Sequence, residues 1–311
     1  MTTAALLACA GCPLVSPFGS PSARTVDLSE PGDHDQALVW QNLTRTYIVH
    51  TPAGYNAAIP TPLVIVLHGG WGTGEQAARE LGFSELSDQR GFIVAYPDGY
   101  LRNWNDGRGG LVAEITDLDD VGFILAMIDA IARSLNLDRR RVYAVGVSNG
   151  AIFANRLACE RPDRFAAFAA VIGTYPEALD CRPTVPVSAL IIVGDQDPLV
   201  PYDGGEVSSG GTVLSAAETT ALWIAADSCS TTPQITQLPH LNPDDPTRVR
   251  RESYSGCAEG TAVVLYVVEG GGHTWPGGPA GLSTVFRGPV TQDLDATQSC
   301  WDFFAAHAEG G

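Results

Sequence analysis

The chain has 311 residues, 45% of them hydrophobic and only 17% charged, enough apolar content for one large core. Its formal net charge is -17, from 35 acidic and 18 basic residues, and all the basic residues are arginine. No basic stripe is present to neutralise phosphates, which excludes nucleic acid as an expected partner.

Residues 1–12 read as the tail of a lipoprotein export signal. Leu6-Leu7-Ala8-Cys9 fits a box in which a small residue precedes a lipidated cysteine, and Ala10-Gly11-Cys12 is a second candidate. A basic leading region and a full apolar core are missing from it. Residues 13–36, rich in Pro, Ser and Gly, read as a flexible tether, and 37–311 as a single domain. Past Cys12 no apolar run is long enough to span a bilayer.

Arg45–Pro52 alternates as a half-buried strand and ends where Pro52 withdraws a donor. Pro62–His68 is a continuous apolar run of the kind seen in parallel strands covered on both faces. At its carboxyl end comes His68-Gly69-Gly70-Trp71-Gly72-Thr73-Gly74, a loop able to turn backbone N–H groups inward as an oxyanion site requires. A phosphate loop is disfavoured, since no Gly-Lys-Ser/Thr ending follows. Helical spacing covers Glu75–Leu86, and Gly91–Asp98 is another buried strand. Trp104, in the polar loop 99–115, is either a lid contact or a plug for the edge of the domain. Asp117–Leu135 reads as a long amphipathic helix, with Asp119 and Asp120 capping its first turn in preference to forming a carboxylate pair for metal or acid–base work.

Arg141–Val147 is a β-branched apolar run, and the residues after Gly150 form a small-residue helical run. Gly146-Val147-Ser148-Asn149-Gly150 joins them, making a strand, a sharp turn and a helix. The central residue of such a turn is strained and only residues lacking bulk fit two positions either way. Ser148 is thereby lifted clear of the sheet, with the positive end of the helix behind it.

Two further buried strands are expected over Arg164–Ile172 and Val185–Gly194, the second running into Asp195-Gln196-Asp197-Pro198-Leu199-Val200-Pro201-Tyr202. Two aspartates compete there to hold an imidazole. Residues before proline are pushed toward extended conformations, which projects Asp197 off the sheet edge, whereas Asp195 is better placed to satisfy N–H groups of the turn. Thr212–Ser228 reads as a helix, and Arg248–Ser255 and Ala262–Val268 as strands. The last of these leads into Gly270-Gly271-Gly272-His273-Thr274-Trp275-Pro276-Gly277-Gly278. A final helix covers roughly Asp293–Ala308. Helices alternating with parallel-type strands predict an α/β fold with a doubly wound, mostly parallel sheet.

The chain has seven cysteines, with no paired C-x-x-C spacing, so zinc is disfavoured and no metal site is expected. In an oxidising compartment some should pair. Cys229 with Cys257 is the first expected pair, since one closes a helix and the other ends a hairpin strand; Cys159 with Cys181 is the second. Cys300, in an apolar helix, reads as a buried thiol acting as a small hydrophobe.

Ser148, then Asp197, then His273, each after a predicted strand, follow the chain order of α/β-hydrolases. Together with His68-Gly69, Gly204-Gly205, Asp120-Val121-Gly122-Phe123-Ile124, Trp301-Asp302-Phe303-Phe304 and above all Gly272-His273-Thr274-Trp275-Pro276-Gly277-Gly278, they resemble the polyhydroxybutyrate depolymerase and feruloyl esterase family of exported serine esterases, over roughly residues 45–308. Many members carry adjacent cysteines where this chain has Gly109-Gly110. The resemblance implies an α/β-hydrolase fold, with Ser148 as nucleophile, Asp197 as the acid and His273 as the base. The chemistry of the residues asks for the same roles, with an oxyanion held by the N–H of Asn149 and that of Gly70 or Trp71.

Trp71, Tyr202, Trp275 and Trp104 are expected to contribute to substrate binding, the first three as an aromatic wall. The expected function is an exported serine carboxylic ester hydrolase, acting on short polyesters or on hydroxycinnamate and other aryl esters through an acyl-enzyme. It needs no cofactor, is expected to be a monomer, and would be tethered to a membrane only through lipid on Cys9. The alternatives are a silent carbohydrate- or polymer-binding module on the same fold, and a peptidase or acyltransferase using the same three residues.

Overall fold

Five of the strands are apolar runs with no polar face, and the architecture follows from covering both their sides. The computed structural model of the protein describes residues 27–109, 118–279 and 287–308. Strand β3 (Thr61–Leu67) is buried throughout. Its Leu63, Ile65 and Leu67 enter one core and Val64 and Val66 the other, as the two-residue period of a strand requires.

The strands are β1 (Gly32–Trp40), β2 (Leu43–Thr51), β3, β4 (Ile93–Pro97), β5 (Leu137–Val147), β6 (Ala167–Val171), β7 (Ser188–Gly194), β8 (Gly205–Glu206), β9 (Thr212–Val213), β10 (Gln234–Gln237), β11 (Arg248–Tyr254) and β12 (Val263–Glu269). Ten of them form one sheet in the order β1-β2-β4-β3-β5-β6-β7-β12-β11-β10, while β8 and β9 pair separately. The six central strands, β4 to β12 in that order, run parallel. Antiparallel pairs close both edges.

The helices are α1 (Gly74–Glu80), α2 (Phe83–Arg90), α3 (Asp120–Ser134), α4 (Asn149–Glu160), α5 (Ala216–Ala226) and α6 (Ala296–Ala306). Helices α3, α4 and α5 cover one face with Ile124, Met127, Phe153, Leu157 and Trp223. Helices α1, α2 and α6 cover the other with Ala77, Phe83, Leu86, Cys300 and Phe304. This is the α/β-hydrolase fold, a mostly parallel sheet between helices. No helix of the described residues is long and apolar enough to cross a membrane.

Several expected boundaries move. Strand β1 begins at Gly32, so the end of the stretch read as tether is strand, paired residue for residue with β2 through a two-residue turn at Gln41-Asn42. The helix expected over Thr212–Ser228 starts only at Ala216, where Ser215 and Glu218 form a capping box, because Thr212 and Val213 are held in β9. The helical spacing of Glu75–Leu86 is broken into α1 and α2 at Gly82, which has φ 70°. Cys9 and Cys12 lie outside the described residues.

Asp119 caps α3 as expected, accepting the N–H of Gly122. Asp120 instead lies buried 2.7 Å from Arg45 and accepts the N–H of Asn105. Disulfides join Cys159 to Cys181 and Cys229 to Cys257, and Cys300 is a buried free thiol.

Candidate active site

Strands β5, β7 and β12 end on the same edge of the sheet, and each delivers one side chain there. After β5 the chain turns at Ser148 with φ 56° and ψ -119°, a strained conformation for a residue with a side chain. The two glycines of the turn are steric necessities. A Cβ at Gly146 would lie 2.0 Å from the Gly150 oxygen, and one at Gly150 would lie 2.3 Å from the Leu67 oxygen. The turn is pressed against the end of β3, the strand that launches the His68 loop.

His273 Nε2 lies 2.9 Å from Ser148 Oγ, and His273 Nδ1 lies 2.7 Å from Asp197 Oδ2. The pattern fixes the tautomer: Nδ1–H donates to the carboxylate, leaving Nε2 to accept the serine O–H. Asp197 is itself held, since its Oδ1 accepts the N–H groups of Leu199 and Val200 at 2.8 and 2.9 Å. His273 and Asp197 are nearly buried, with side chains 5% and 3% exposed. Asp195 turns the other way, accepting the Gly270 N–H at 2.7 Å.

Above the serine, the N–H groups of Asn149 and Gly70 have no acceptor among the described residues. Gly70 and Asn149 are neighbours: a Cβ on Gly70 would contact the Asn149 Cβ at 3.7 Å. Unpaired N–H groups of this kind are what an oxyanion at Ser148 would need. Trp71 is not a candidate for this role, because its N–H is already given to the Arg102 oxygen at 2.8 Å.

A cleft of about 520 Å³ opens over these groups, lined among others by Trp71, Trp275, Ile172, Val200 and Val207. Trp71 is 68% exposed at its mouth, and Trp275 is held edge-on to Phe83. The other two aromatic expectations fail. Trp104 is buried, donating Nε1–H to the His68 oxygen at 2.9 Å and stacking on Phe153, so it braces the site from beneath. Tyr202 lines a separate cleft of about 450 Å³ together with Ile224, Cys229 and Tyr254.

Two residues not singled out in the sequence, Asp106 and Arg108, join Asn149 and His68 in tying this region together. Asn149 Nδ2 donates to Asp106 Oδ2 at 2.6 Å, and Asn149 Oδ1 accepts the Trp104 N–H at 2.8 Å. Burial pushes the Asp106 carboxyl above the usual carboxylate range, opposed chiefly by the Arg108 guanidinium beside it. His68 accepts the Gly99 N–H on Nε2 and faces the Gly69 oxygen with Nδ1. Burial lowers its pKa and keeps the ring neutral in this bracing role. No local pattern announces Asp106 or Arg108: they face each other two residues apart, but the residue they serve, Asn149, is 43 residues away in sequence from Asp106. Among the described residues no cluster of His, Cys, Asp or Glu could hold a metal ion.

Residues 45–181 match the profile of the family described as esterase PHB depolymerase. NocK of Nocardia uniformis subsp. tsuyamanensis, an esterase by assignment, is 32% identical over 95% of this chain and 93% of its own. This chain belongs to the PHB depolymerase and feruloyl esterase-related family of α/β-hydrolases. Feruloyl esterase B of Piromyces equi is 31% identical over 78% of this chain, a match spanning 45% of that longer protein. Among solved structures, acetyl xylan esterase from Aspergillus awamori shares the fold, with a TM-score of 0.57 at 15% identity, covering 88% of this chain and 99% of its own. Its relatives in this family are serine-esterase-like hydrolases.

Proposed function

We propose that the protein is an exported serine carboxylic ester hydrolase working through an acyl-enzyme. The observation that carries the reading is the hydrogen-bonded line from Ser148 Oγ through His273 to Asp197, lying in the same cleft as the free N–H groups of Asn149 and Gly70.

A serine hydroxyl is a weak nucleophile, so attack on the ester carbonyl requires His273 Nε2 to take its proton as the bond forms. Asp197 stabilises the imidazolium and keeps the reactive nitrogen aimed at Ser148. The carbonyl oxygen becomes an oxyanion against Asn149 and Gly70 N–H, each such donor worth about 3 kcal/mol. His273 then protonates the leaving alcohol, and a water activated by the same nitrogen releases the acid.

Substrates of the proposed class are short polyesters, or aryl and hydroxycinnamate esters whose rings pack on Trp71 and Trp275. Relatives named as feruloyl and acetylxylan esterases support that range. Two disulfides support an oxidising compartment. The test is a panel of para-nitrophenyl acetate, butyrate and octanoate, methyl ferulate and a peptide amide, run on the wild type and on Ser148→Ala. Cleavage of esters and not of the amide, lost in the variant, is expected. Turnover surviving in Ser148→Ala would reject the assignment.

A further inference from the structure

The cleft contains a charged group that the ester chemistry leaves unused. Arg108 lines it, yet its side chain is only 9% exposed. Its Nε stands 3.1 Å from Asp106 Oδ2 without the geometry of a hydrogen bond, and no described residue accepts from either terminal nitrogen. Among the described residues Asp106 is its one ion-pair partner, and a guanidinium this buried is costly to keep. Its position is fixed nonetheless. The Thr212 N–H donates to the Arg108 oxygen at 3.4 Å, and Gly211 packs so close that a Cβ there would lie 2.8 Å from Arg108 Cγ.

The place of this cation matters as much as its state. Asp106 Oδ2, which faces Arg108, also takes the Asn149 side chain at 2.6 Å, so a single carboxylate oxygen separates the guanidinium from the residue after Ser148. The chain as a whole carries -17, a field that repels anions. The cleft departs from it locally: its described lining residues include two arginines, Arg108 and Arg287, and one carboxylate, Glu80, with Asp106 paired to Arg108 behind the lining.

We propose that Arg108 is a specificity residue that binds a free carboxylate on the substrate, so that the preferred esters carry a second, ionised carboxyl group besides the scissile ester. The planar fork of a guanidinium matches a carboxylate with two parallel hydrogen bonds, and a pre-formed buried donor loses little on binding. This rests on the esterase reading. It adds which esters the site prefers.

The experiment compares two pairs that differ by one carboxylate: the 4-nitrophenyl half-ester of adipic acid with 4-nitrophenyl hexanoate, and 3-acetoxybenzoate with phenyl acetate. The first pair puts the carboxylate on the acyl side, the second on the alcohol side. In at least one pair the wild type should favour the charged member. Arg108→Gln should lower the charged-to-neutral ratio of kcat/KM tenfold or more, mainly through KM, and Arg108→Lys should recover part of it. A ratio unmoved in both pairs, with charged and neutral esters slowed alike, would mean that Arg108 only supports Asp106, and would overturn the proposal.

Calorimetric titration of Ser148→Ala with adipate gives a readout independent of turnover. Adipate should bind with an affinity that falls as ionic strength rises, while neutral adipamide should bind at least tenfold more weakly; equal binding of the two would overturn the proposal even if Arg108→Gln failed to fold. Failure of the esterase reading looks different, since neither member of a pair would then be hydrolysed while the adipate titration still reports on Arg108.

Discussion

Asn149 Nδ2 and Asp106 Oδ2 are 2.6 Å apart across 43 residues of sequence. The first belongs to the residue whose N–H faces the proposed oxyanion, and the second to a loop that the family match alone does not single out. The backbone donor is thus held in place by its own side chain. A loose donor stabilises developing charge poorly, because catalytic hydrogen bonds depend on being in position beforehand.

Asn149→Ala should therefore lower kcat at least tenfold with little change in KM for a small ester such as para-nitrophenyl butyrate. It should also cost about 2 kcal/mol of stability, since it leaves buried Asp106 and the Trp104 backbone short of partners. Steady-state kinetics and urea denaturation read the two effects. An unchanged kcat would show that the side chain serves the loop and not the donor.

Backbone strain at Ser148 gives a second outcome. Its φ of 56° with ψ of -119° suits glycine far better than any residue with a Cβ. Ser148→Gly and Ser148→Ala should both be inactive, but the glycine variant should be the more stable by about 1 kcal/mol, the strain released exceeding the extra entropy of an unfolded glycine. Thermal unfolding of the pair decides it. Equal stability would mean that the turn relaxes once the hydroxyl is gone.

How much of this was legible beforehand depended on whether a signal was local. The parallel strands were, because a run such as Val64-Ile65-Val66 has no polar face to turn outward. The serine turn was too, because its glycines are demanded within five residues. Strand β1 hid behind Asp33, His34 and Asp35, whose alternation is half exposed, and β10 is four exposed residues on an edge. The expectation of a substrate contact at Trp104 fails for a physical reason. Its loop is polar, and only the fold shows the indole turned down onto Phe153 and the His68 oxygen. Tyr202 is adjacent in sequence to the Asp197 loop but faces the other side of it, and adjacency carries no direction.

The two aspartates after β7 separate cleanly in the fold. Asp197→Asn keeps an oxygen for the Leu199 and Val200 N–H groups but presents an amide to His273, which favours the wrong imidazole tautomer. Turnover should fall by orders of magnitude, about 10⁴ in comparable enzymes, with little change in melting. Asp195→Asn should leave turnover within a fewfold and cost about 1 kcal/mol through its bond to Gly270. The reverse pattern would show that the wrong carboxylate has been assigned.

A buried carboxyl away from the cleft sets a pH dependence of stability. Asp227 is fully buried at the end of α5. Its Oδ1 accepts the Val187 N–H at 3.0 Å, while its Oδ2 has no partner among the described residues. Burial pushes its pKa up from 3.8 to about 7, with the Val187 N–H and Thr261 opposing. In the unfolded chain the group ionises near its ordinary value, about 4. Between the two values the folded state binds the extra proton, so stability falls as pH rises from about 4 to about 7 and levels off above. Asp227→Asn removes the titration while keeping an acceptor for Val187. The stability of the variant relative to wild type should therefore climb by about 4 kcal/mol between pH 4 and pH 8. Urea unfolding of both proteins across that range measures the difference directly. A difference that stays flat would mean that Asp227 ionises in the folded protein as it does in the unfolded one.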